Sequence, residues 1–328
     1  MFSKIEPNRV RRTYQGGGRI DAFTSFSPFD DGELRPEDWI ASTTQAFNGT
    51  REIDGEGLGR FPDGRLVKNT VGSLPILVKL LDADERLVIQ AHPTVPCARE
   101  KFGSSVGKTE CWYFLPGTAD DACVYLGFKP GVTRERWRQA FETQTGLLDM
   151  LHKVPVQRGD FVFVDGGMPH AIGAGCFMIE LQEPSDLMVV AERFTPSGRR
   201  IPDGKIFCGL GLEDMLDVYE YEECPYDELC ARYVRRGFSR NEHKAPRADS
   251  SCRCVCGPEL TDKFEMWHLS DTAHLSLGGA AAVAVVIGGE GCVNGLAVRA
   301  GDRCLAVQED EISLSGPVEV VVCKGGKR

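Results

Sequence analysis

The stretch VPVQRGDFVFVDGGMPHAIGAGCFMIELQE, residues 154–183, constrains the fold of this chain more than any other. Its apolar runs are only a few residues long, and Gly159-Asp160 and Gly166-Gly167 break them with tight turns. Such runs are too short for helices and too closely spaced for crossover connections, so they read as antiparallel strands. The same texture recurs along the chain. The first 70 residues are crowded with turn signals (GGGR, FDDGE, NGT, DGEG, PDGR). Leu74–Leu81 then reads as a strand, residues 82–85 as a turn and Arg86–His92 as a second strand. From about Tyr233 onward, KFEMWHLSD, AAVAVVIGGEGCVNG, LAVRAGDRCLAV and VEVVVCKG repeat the pattern of short strands and glycine turns. Many short strands of this kind predict a sandwich or jelly roll.

Two segments depart from the β texture. Residues 133–153, TRERWRQAFETQTGLLDMLHK, carry Trp137, Ala140 and Phe141 at helical spacing and predict an insertion of two short helices broken at Gly146. A connector over 206–232 is expected to hold one helix, residues 211–219. The division expected is therefore a first β domain over 1–205, the connector, and a second β domain over 233–328. A chain of 328 residues is long enough for two such cores.

A net charge of -10 argues against nucleic-acid or anionic-membrane surfaces, which need clustered Lys and Arg. The N-terminus has no apolar run after its basic residues, and the longest apolar stretch, Ala280–Ile287, is far too short to span a bilayer; the location expected is the cytosol. Thirteen cysteines without a secretory signal read as reduced thiols. Cys252, Cys254 and Cys256 alternate along an apparent strand, but no fourth ligand follows in metal-binding spacing.

GSSVGKTECWYFL, residues 103–115, has the look of a phosphate-binding loop. It is one residue short between Gly103 and Gly107, and Thr109 is followed by a buried strand where a helix N-terminus would be required. That leaves Lys108 and Glu110 two residues apart on one strand face. Gln90 and His92 share a face in the same way at the end of the strand before, and His170 follows Gly166-Gly167-Met168-Pro169 at a turn-to-strand junction. Gln90, His92, Glu110 and His170 together offer two nitrogens and two oxygens, which suits Zn²⁺ and leaves room for a water or substrate. A single histidine is more often structural than ligating, and His152, His243, His268 and His274 are read that way.

LPILVKLLDADERLVIQAHPT, GKTECWYFL and MPHAIGAGCFMIELQEPSD, taken together, closely resemble the type I mannose-6-phosphate isomerases, which are zinc-dependent cupins. The resemblance spans roughly residues 74–186. It implies a mainly β fold of two cupin jelly-roll domains with the helical insertion and connector. It also implies one Zn²⁺ per chain held by Gln90, His92, Glu110 and His170, and interconversion of mannose 6-phosphate and fructose 6-phosphate through a cis-enediol. By the same resemblance Lys79 and Lys108 line the substrate pocket, Glu180 is the acid/base candidate, and Arg193, with Arg199 and Arg200 close by, is nearest to the family's catalytic arginine. Two positions depart from the family. Val88 stands where a phosphate-contacting serine is common, and residues 187–200 read LMVVAERFTPSGRR in place of an arginine-bearing run. The alternatives are a non-catalytic cupin that binds a sugar phosphate and a zinc cupin isomerase for another phosphosugar. The partner expected is a small sugar phosphate.

Overall fold

The computed structural model describes residues 1–26, 33–47, 55–237 and 251–326. His243, the NGT turn and most of FDDGE lie outside these residues.

The fold is mainly β, as the glycine-punctuated sequence requires, and it is built from three antiparallel sheets. A seven-stranded sheet runs in the order Val234–Arg235, Phe161–Val164, Glu110–Phe114, Phe177–Gln182, Leu77–Asp82, Glu37–Ile40 and Arg9–Val10. Against it lies a five-stranded sheet in the order Val189–Val190, Gln90–Ala91, His170–Ile172, Cys123–Phe128 and Leu151–Pro155. Cys111, Tyr113, Val124, Leu126 and Ile172 share one core between the elements, while Ile89, Ala91, Phe128 and Trp137 fill a second beneath the helices. The third, nine-stranded sheet is centred on Ala282–Val293 and Val318–Gly325.

Register decides what faces the site. Trp39 pairs with Lys79, Lys79 with Glu180, and Glu180 with Trp112, so these four form one row across the seven-stranded sheet. Glu37 and Glu110, each two residues from a tryptophan of that row, lie on the same face. Residues of the opposite parity, such as Tyr113, Ile179 and Val78, join the core that also contains Phe264, Met266, Val285 and Val321 of the third sheet. Tyr113 stacks on His268, which pairs with Glu319 at 2.7 Å.

Several expectations need correction. The strand expected over Arg86–His92 is reduced to Gln90–Ala91. The Glu192 carboxylate takes the Ile89 amide at 2.7 Å and Arg86 donates to the Leu87 carbonyl, so side chains use groups a ladder would need. After the helix Arg134–Thr143 the expected second helix is one 3₁₀ turn, Leu148–Met150, because Leu151–Pro155 pairs with Cys123–Phe128. Residues 203–233 carry three short helices, Asp203–Phe207, Leu212–Leu216 and Tyr226–Tyr233. Val234–Arg235 pairs with Phe161–Val162 in the seven-stranded sheet, and Phe2–Lys4 pairs with Cys304–Ala306 in the third, so each of the two sheets takes a strand from the far side of the expected boundary. Cys252, Cys254 and Cys256 do not share one face, because a bulge follows Cys254, leaving Cys254 exposed and Cys256 buried. Among the described residues no helix is long and apolar enough to cross a membrane.

Asp38 ties the sheets together. It is fully buried, accepts the Asn8 amide at 2.8 Å and pairs with buried Arg303 of the third sheet. Asp38→Ala leaves a buried guanidinium without its partner and should cost about 3 to 5 kcal/mol in denaturant unfolding. Adding Arg303→Met should restore part of that loss; an unchanged midpoint for Asp38→Ala contradicts the assignment.

Candidate metal centre and active site

The structure brings Gln90, His92, Glu110 and His170 to one point between the two facing sheets. Gln90 sits directly opposite His170 in the five-stranded sheet, and Glu110 begins its strand in the seven-stranded one. Close backbone approach makes this possible. A Cβ at Gly107 would lie 2.7 Å from the Pro93 carbonyl, and the following Lys108 amide donates to that carbonyl at 3.0 Å. The Gly167 amide donates to the His92 carbonyl at 2.6 Å, pinning the loop before His170 to the end of the His92 strand. Thr109 and Glu183 exchange bonds, amide to carbonyl at 3.1 Å and amide to carboxylate at 3.0 Å, and hold the mouth of the Glu110 strand.

The donor groups lie close enough together to share one divalent ion. Bonds of about 2.0 to 2.2 Å imply ligand-to-ligand edges of about 3.3 to 3.6 Å. His92 Nε2 lies 3.2 Å from Glu110 Oε2, His170 Nε2 lies 3.4 Å from Glu110 Oε1, and the Gln90 amide lies 3.3 Å from His170 Nε2. The histidine, glutamate and histidine atoms form a single buried cluster of potential ligands. Each imidazole is already oriented: His92 Nδ1 donates to the Leu187 carbonyl at 3.0 Å and His170 Nδ1 to the Met168 carbonyl at 2.9 Å. Both Nε2 lone pairs therefore point inward, the arrangement a metal-binding histidine needs. Gln90 shows its NH2 to His170; half a turn of the amide presents its oxygen instead. The donors also attract positive charge, since Lys108 Nζ lies 2.6 Å from His92 Nε2 and pairs with Glu110.

Electrostatics follow from burial. For Glu110, burial opposes ionisation, but Lys108 and then the two histidines outweigh it and hold the carboxyl well below its usual range. Burial, then the Lys108 charge, pushes His92 down to about 3; burial also lowers His170. Both rings are thus neutral at ordinary pH, as ligands must be.

Beside this cluster lies a cavity of about 50 Å³ lined by Gln90, Lys79, Lys108, Glu180, Arg12 and Lys205, among others. Lys79 and Glu180, expected from the sequence at the pocket, are there, paired at 2.6 Å and both buried. Burial is the largest influence on Glu180 and raises its pKa against the pull of Lys79. A larger cavity of about 420 Å³, lined by Thr94, Asp165, Glu220, Glu222 and Arg232, contains none of the four donor residues. The smaller one is therefore the candidate site.

Arg193 does not reach it. After Ala191 bonds to the Ile89 carbonyl the chain turns outward through a Phe194–Arg200 bridge, and the Arg193 guanidinium rests 5.1 Å over the Phe141 ring. Arg199 and Arg200 are exposed, and Arg200 pairs with Asp203. Two arginines line the cavity: Arg86, paired with Glu192 at 2.7 Å, and Arg12, which approaches Asp186 at 3.1 Å and Glu37 at 3.1 Å. Glu37 also accepts from Tyr14 at 2.8 Å and Trp39 at 2.7 Å. The sequence reading missed Arg12, Tyr14, Glu37, Asp186 and Lys205. The one available signal was the Glu37-x-Trp39 alternation, which puts an acid beside a tryptophan on one strand face. His152 Nε2 donates to the Cys224 carbonyl at 2.7 Å, and His274 lies on the surface, in keeping with structural roles.

Comparison with known proteins places this geometry. No family model matches the chain. In sequence it is 38% identical over 128 residues to a probable mannose-6-phosphate isomerase of Bacillus subtilis, covering 38% of this chain and 37% of that protein. It is 40% identical over 113 residues to the mannose-6-phosphate isomerase of Streptococcus mutans, 34% of each chain. A second Bacillus subtilis mannose-6-phosphate isomerase is 35% identical over 152 residues, 46% of each. The matched stretch spans less than half the length of these relatives. In fold, the mannose 6-phosphate isomerase of Bacillus subtilis superposes with a TM-score of 0.70 at 17% identity, over 98% of both chains. A mannose 6-phosphate isomerase bound with zinc and yttrium superposes with a TM-score of 0.71 at 14% identity, over 99% of this chain and 100% of that one.

The low pKa of His92 gives a test without metal. Unfolded, the ring binds its proton near 6.5; folded, only near 3. The unfolded state therefore holds more protons between these values, and stability present above pH 6.5 is lost as pH falls toward 3, by about 1.4 kcal/mol per pH unit for one site. In metal-stripped protein, His92→Gln should flatten the pH dependence of unfolding by about one proton; equal slopes contradict the burial account.

The chain thus has the cupin fold of the phosphomannose isomerases over nearly its whole length, and is similar in sequence to mannose-6-phosphate isomerases over a third to nearly half of it.

Proposed function

We propose that the protein is a zinc-dependent aldose–ketose isomerase that interconverts mannose 6-phosphate and fructose 6-phosphate, with one ion per chain held by Gln90, His92, Glu110 and His170. The observation that carries this reading is the donor set itself: neutral imidazoles with inward lone pairs, an ionised carboxylate and an amide, gathered in one buried cluster. A zinc ion would supply Lewis-acid polarisation of a sugar carbonyl, typically worth several kcal/mol of transition-state stabilisation.

The chain's own residues account for the rest. Isomerisation moves a proton between C1 and C2, so it needs a group that can give and take one near neutral pH. Glu180 has a raised pKa, is fully buried and lines the cavity beside Gln90 and Lys108. Lys79, held protonated by Glu180 and Glu37 despite burial, fixes that carboxylate in place. Lys108 shares the strand face of Glu110 and contributes a positive charge next to the metal donors. With Arg193 packed on Phe141, the cationic role foreseen for it falls to Lys108 and Arg12. At about 50 Å³ the cavity has room for only a few waters, so a sugar phosphate enters by moving half-buried side chains at its rim, Arg86, Val88 and Met188.

The test is turnover of mannose 6-phosphate by the purified protein in a coupled assay, with hydrogen exchange at substrate C2 measured in parallel. Glu180→Gln should lower both by 100-fold or more while metal content stays the same, and should remove the acid limb of the kcat/KM profile, which lies above the ordinary carboxylate range. Undiminished exchange in Glu180→Gln would place the base elsewhere.

A further inference from the structure

The third sheet ends in a cavity of its own. Phe264–Ser270 pairs with Val318–Gly325, and that strand with Ala282–Val293, so Leu269, Val320 and Val286 form one inward row and Trp267, Val322 and Ala284 the next. These rows belong to the apolar core of this sheet, with Trp267 half-buried against it. The same alternation makes the following row Glu265, Lys324 and Ala282. An inward face that is apolar for two rows thus becomes charged at its end. There it opens into a cavity of about 830 Å³, lined by Glu265, Trp267 and Lys324 together with His274, Ser276 and others. Cavities of roughly 300 to 1,000 Å³ at the mouths of β-barrels are common places for small ligands.

The side chains at this mouth repeat a device of the metal cavity. Trp267 Nε1 donates to Glu265 at 2.9 Å, as Trp39 donates to Glu37 at 2.7 Å and Trp112 to Glu110 at 3.2 Å. In each case the glutamate stands two residues before the tryptophan on one strand face, and a lysine faces the carboxylate. Lys324 lies 3.2 Å from Glu265, Lys79 lies 3.8 Å from Glu37, and Lys108 pairs with Glu110. The tryptophan makes the difference: Trp39, Trp112 and Trp137 have no exposed surface, whereas Trp267, the fourth in the chain, borders a cavity. Glu265 and Lys324 are both more than nine-tenths buried. A buried ion pair seldom stabilises a fold more than apolar side chains of the same size, so a pair kept at a cavity mouth calls for another role.

Three properties select the ligand. The carboxylate and the ammonium cancel, so neither an anion nor a cation gains by entering. A carboxylate can accept about four hydrogen bonds and an ammonium can donate three, so covering this pair with a purely apolar group would cost desolvation that a ligand able to donate and accept avoids. The indole face, negative in its quadrupole, suits C–H groups laid flat on it. An uncharged molecule with many hydroxyls and one apolar face is a pyranose sugar. We propose that this cavity binds an uncharged pyranose, which stacks its C–H face on Trp267 and hydrogen-bonds neighbouring hydroxyls to Glu265 and Lys324. The proposal does not rest on the isomerase reading, because the cavity belongs to a different sheet from the four metal donors.

The probes are the methyl glycosides of mannose, glucose and galactose in pyranose form, which carry no phosphate and, with C1 locked, cannot isomerise. Binding to the purified full-length protein is read by saturation-transfer NMR and by protection of tryptophan fluorescence from acrylamide, which reaches Trp267 in preference to the three buried rings. At least one probe should bind saturably in the millimolar range and protect the fluorescence. By NMR, Trp267→Ala should weaken that binding by about tenfold or more, with metal content unchanged. Ser276 is exposed at the rim, so Ser276→Tyr should fill the mouth and block binding without touching the core, and it decides the matter should Trp267→Ala not fold. Affinity equal to native in either folded variant, or no saturable binding of any of these glycosides at tens of millimolar, overturns the proposal.

Discussion

Everything at the centre of this molecule depends on keeping Glu110 ionised where no water reaches it. A carboxylate with no exposed surface is tolerated only when positive charge and hydrogen-bond donors surround it. Lys108 pairs with it, Trp112 donates to it at 3.2 Å, and two imidazoles face it within 3.4 Å. These partners arrive from different elements. Lys108 and Trp112 come from its own strand by two-residue alternation, His170 from the facing sheet, and His92 from a strand end fixed by the Leu187 carbonyl. A divalent cation at the same point satisfies the same requirement, so the packing problem and the metal site have one solution.

The second consequence of alternation is the sharp division of the seven-stranded sheet. One face holds Glu37, Lys79, Glu180 and Glu110, the other Tyr113, Ile179 and Val78. The polar face forms a chain of charges, from Asp186 through Arg12, Glu37 and Lys79 to Glu180, with successive contacts between 2.6 and 3.8 Å. Buried ion pairs of this kind rarely stabilise a fold more than apolar side chains of the same size would. Their presence here makes sense as preorganisation: Glu180 is held in one position, with a raised pKa, before any substrate arrives. The apolar face meets the third sheet, and the N-terminal strand pairing in that sheet, with Asp38 and Arg303 paired across the junction, ties the two together.

His92 and His170 were legible in the sequence because each stands beside a proline at a strand end, and Gln90 and Glu110 because each shares a face with a second chemical group two residues away, His92 and Lys108. Lys79 and Glu180 came from the resemblance to the isomerase family, and antiparallel register pairs them. Arg12, Glu37 and Asp186 were not, because the turn-rich first 70 residues carry no periodic pattern that tells which side chains face inward. Lys205 was hidden in a five-residue helix whose orientation is set by Val189–Val190 rather than by its own sequence. Arg193 was assigned to the site as the nearest counterpart of the family's catalytic arginine, and it packs on Phe141 instead. The helix expected after Gly146 is cut to one turn because Leu151–Pro155 pairs with Cys123–Phe128, whereas the connector expected to hold one helix holds three short ones.

The most direct test of the account is the coordination shell of metal bound to the purified protein, measured by X-ray absorption at the zinc edge. The account predicts about one zinc per chain, surrounded only by nitrogen and oxygen at about 2.0 to 2.2 Å, with the two imidazoles visible in the outer scattering. A shell containing sulfur at about 2.3 Å would assign the metal to the cysteines, and protein purified without metal that takes up none from added zinc would remove the centre on which the proposed chemistry depends.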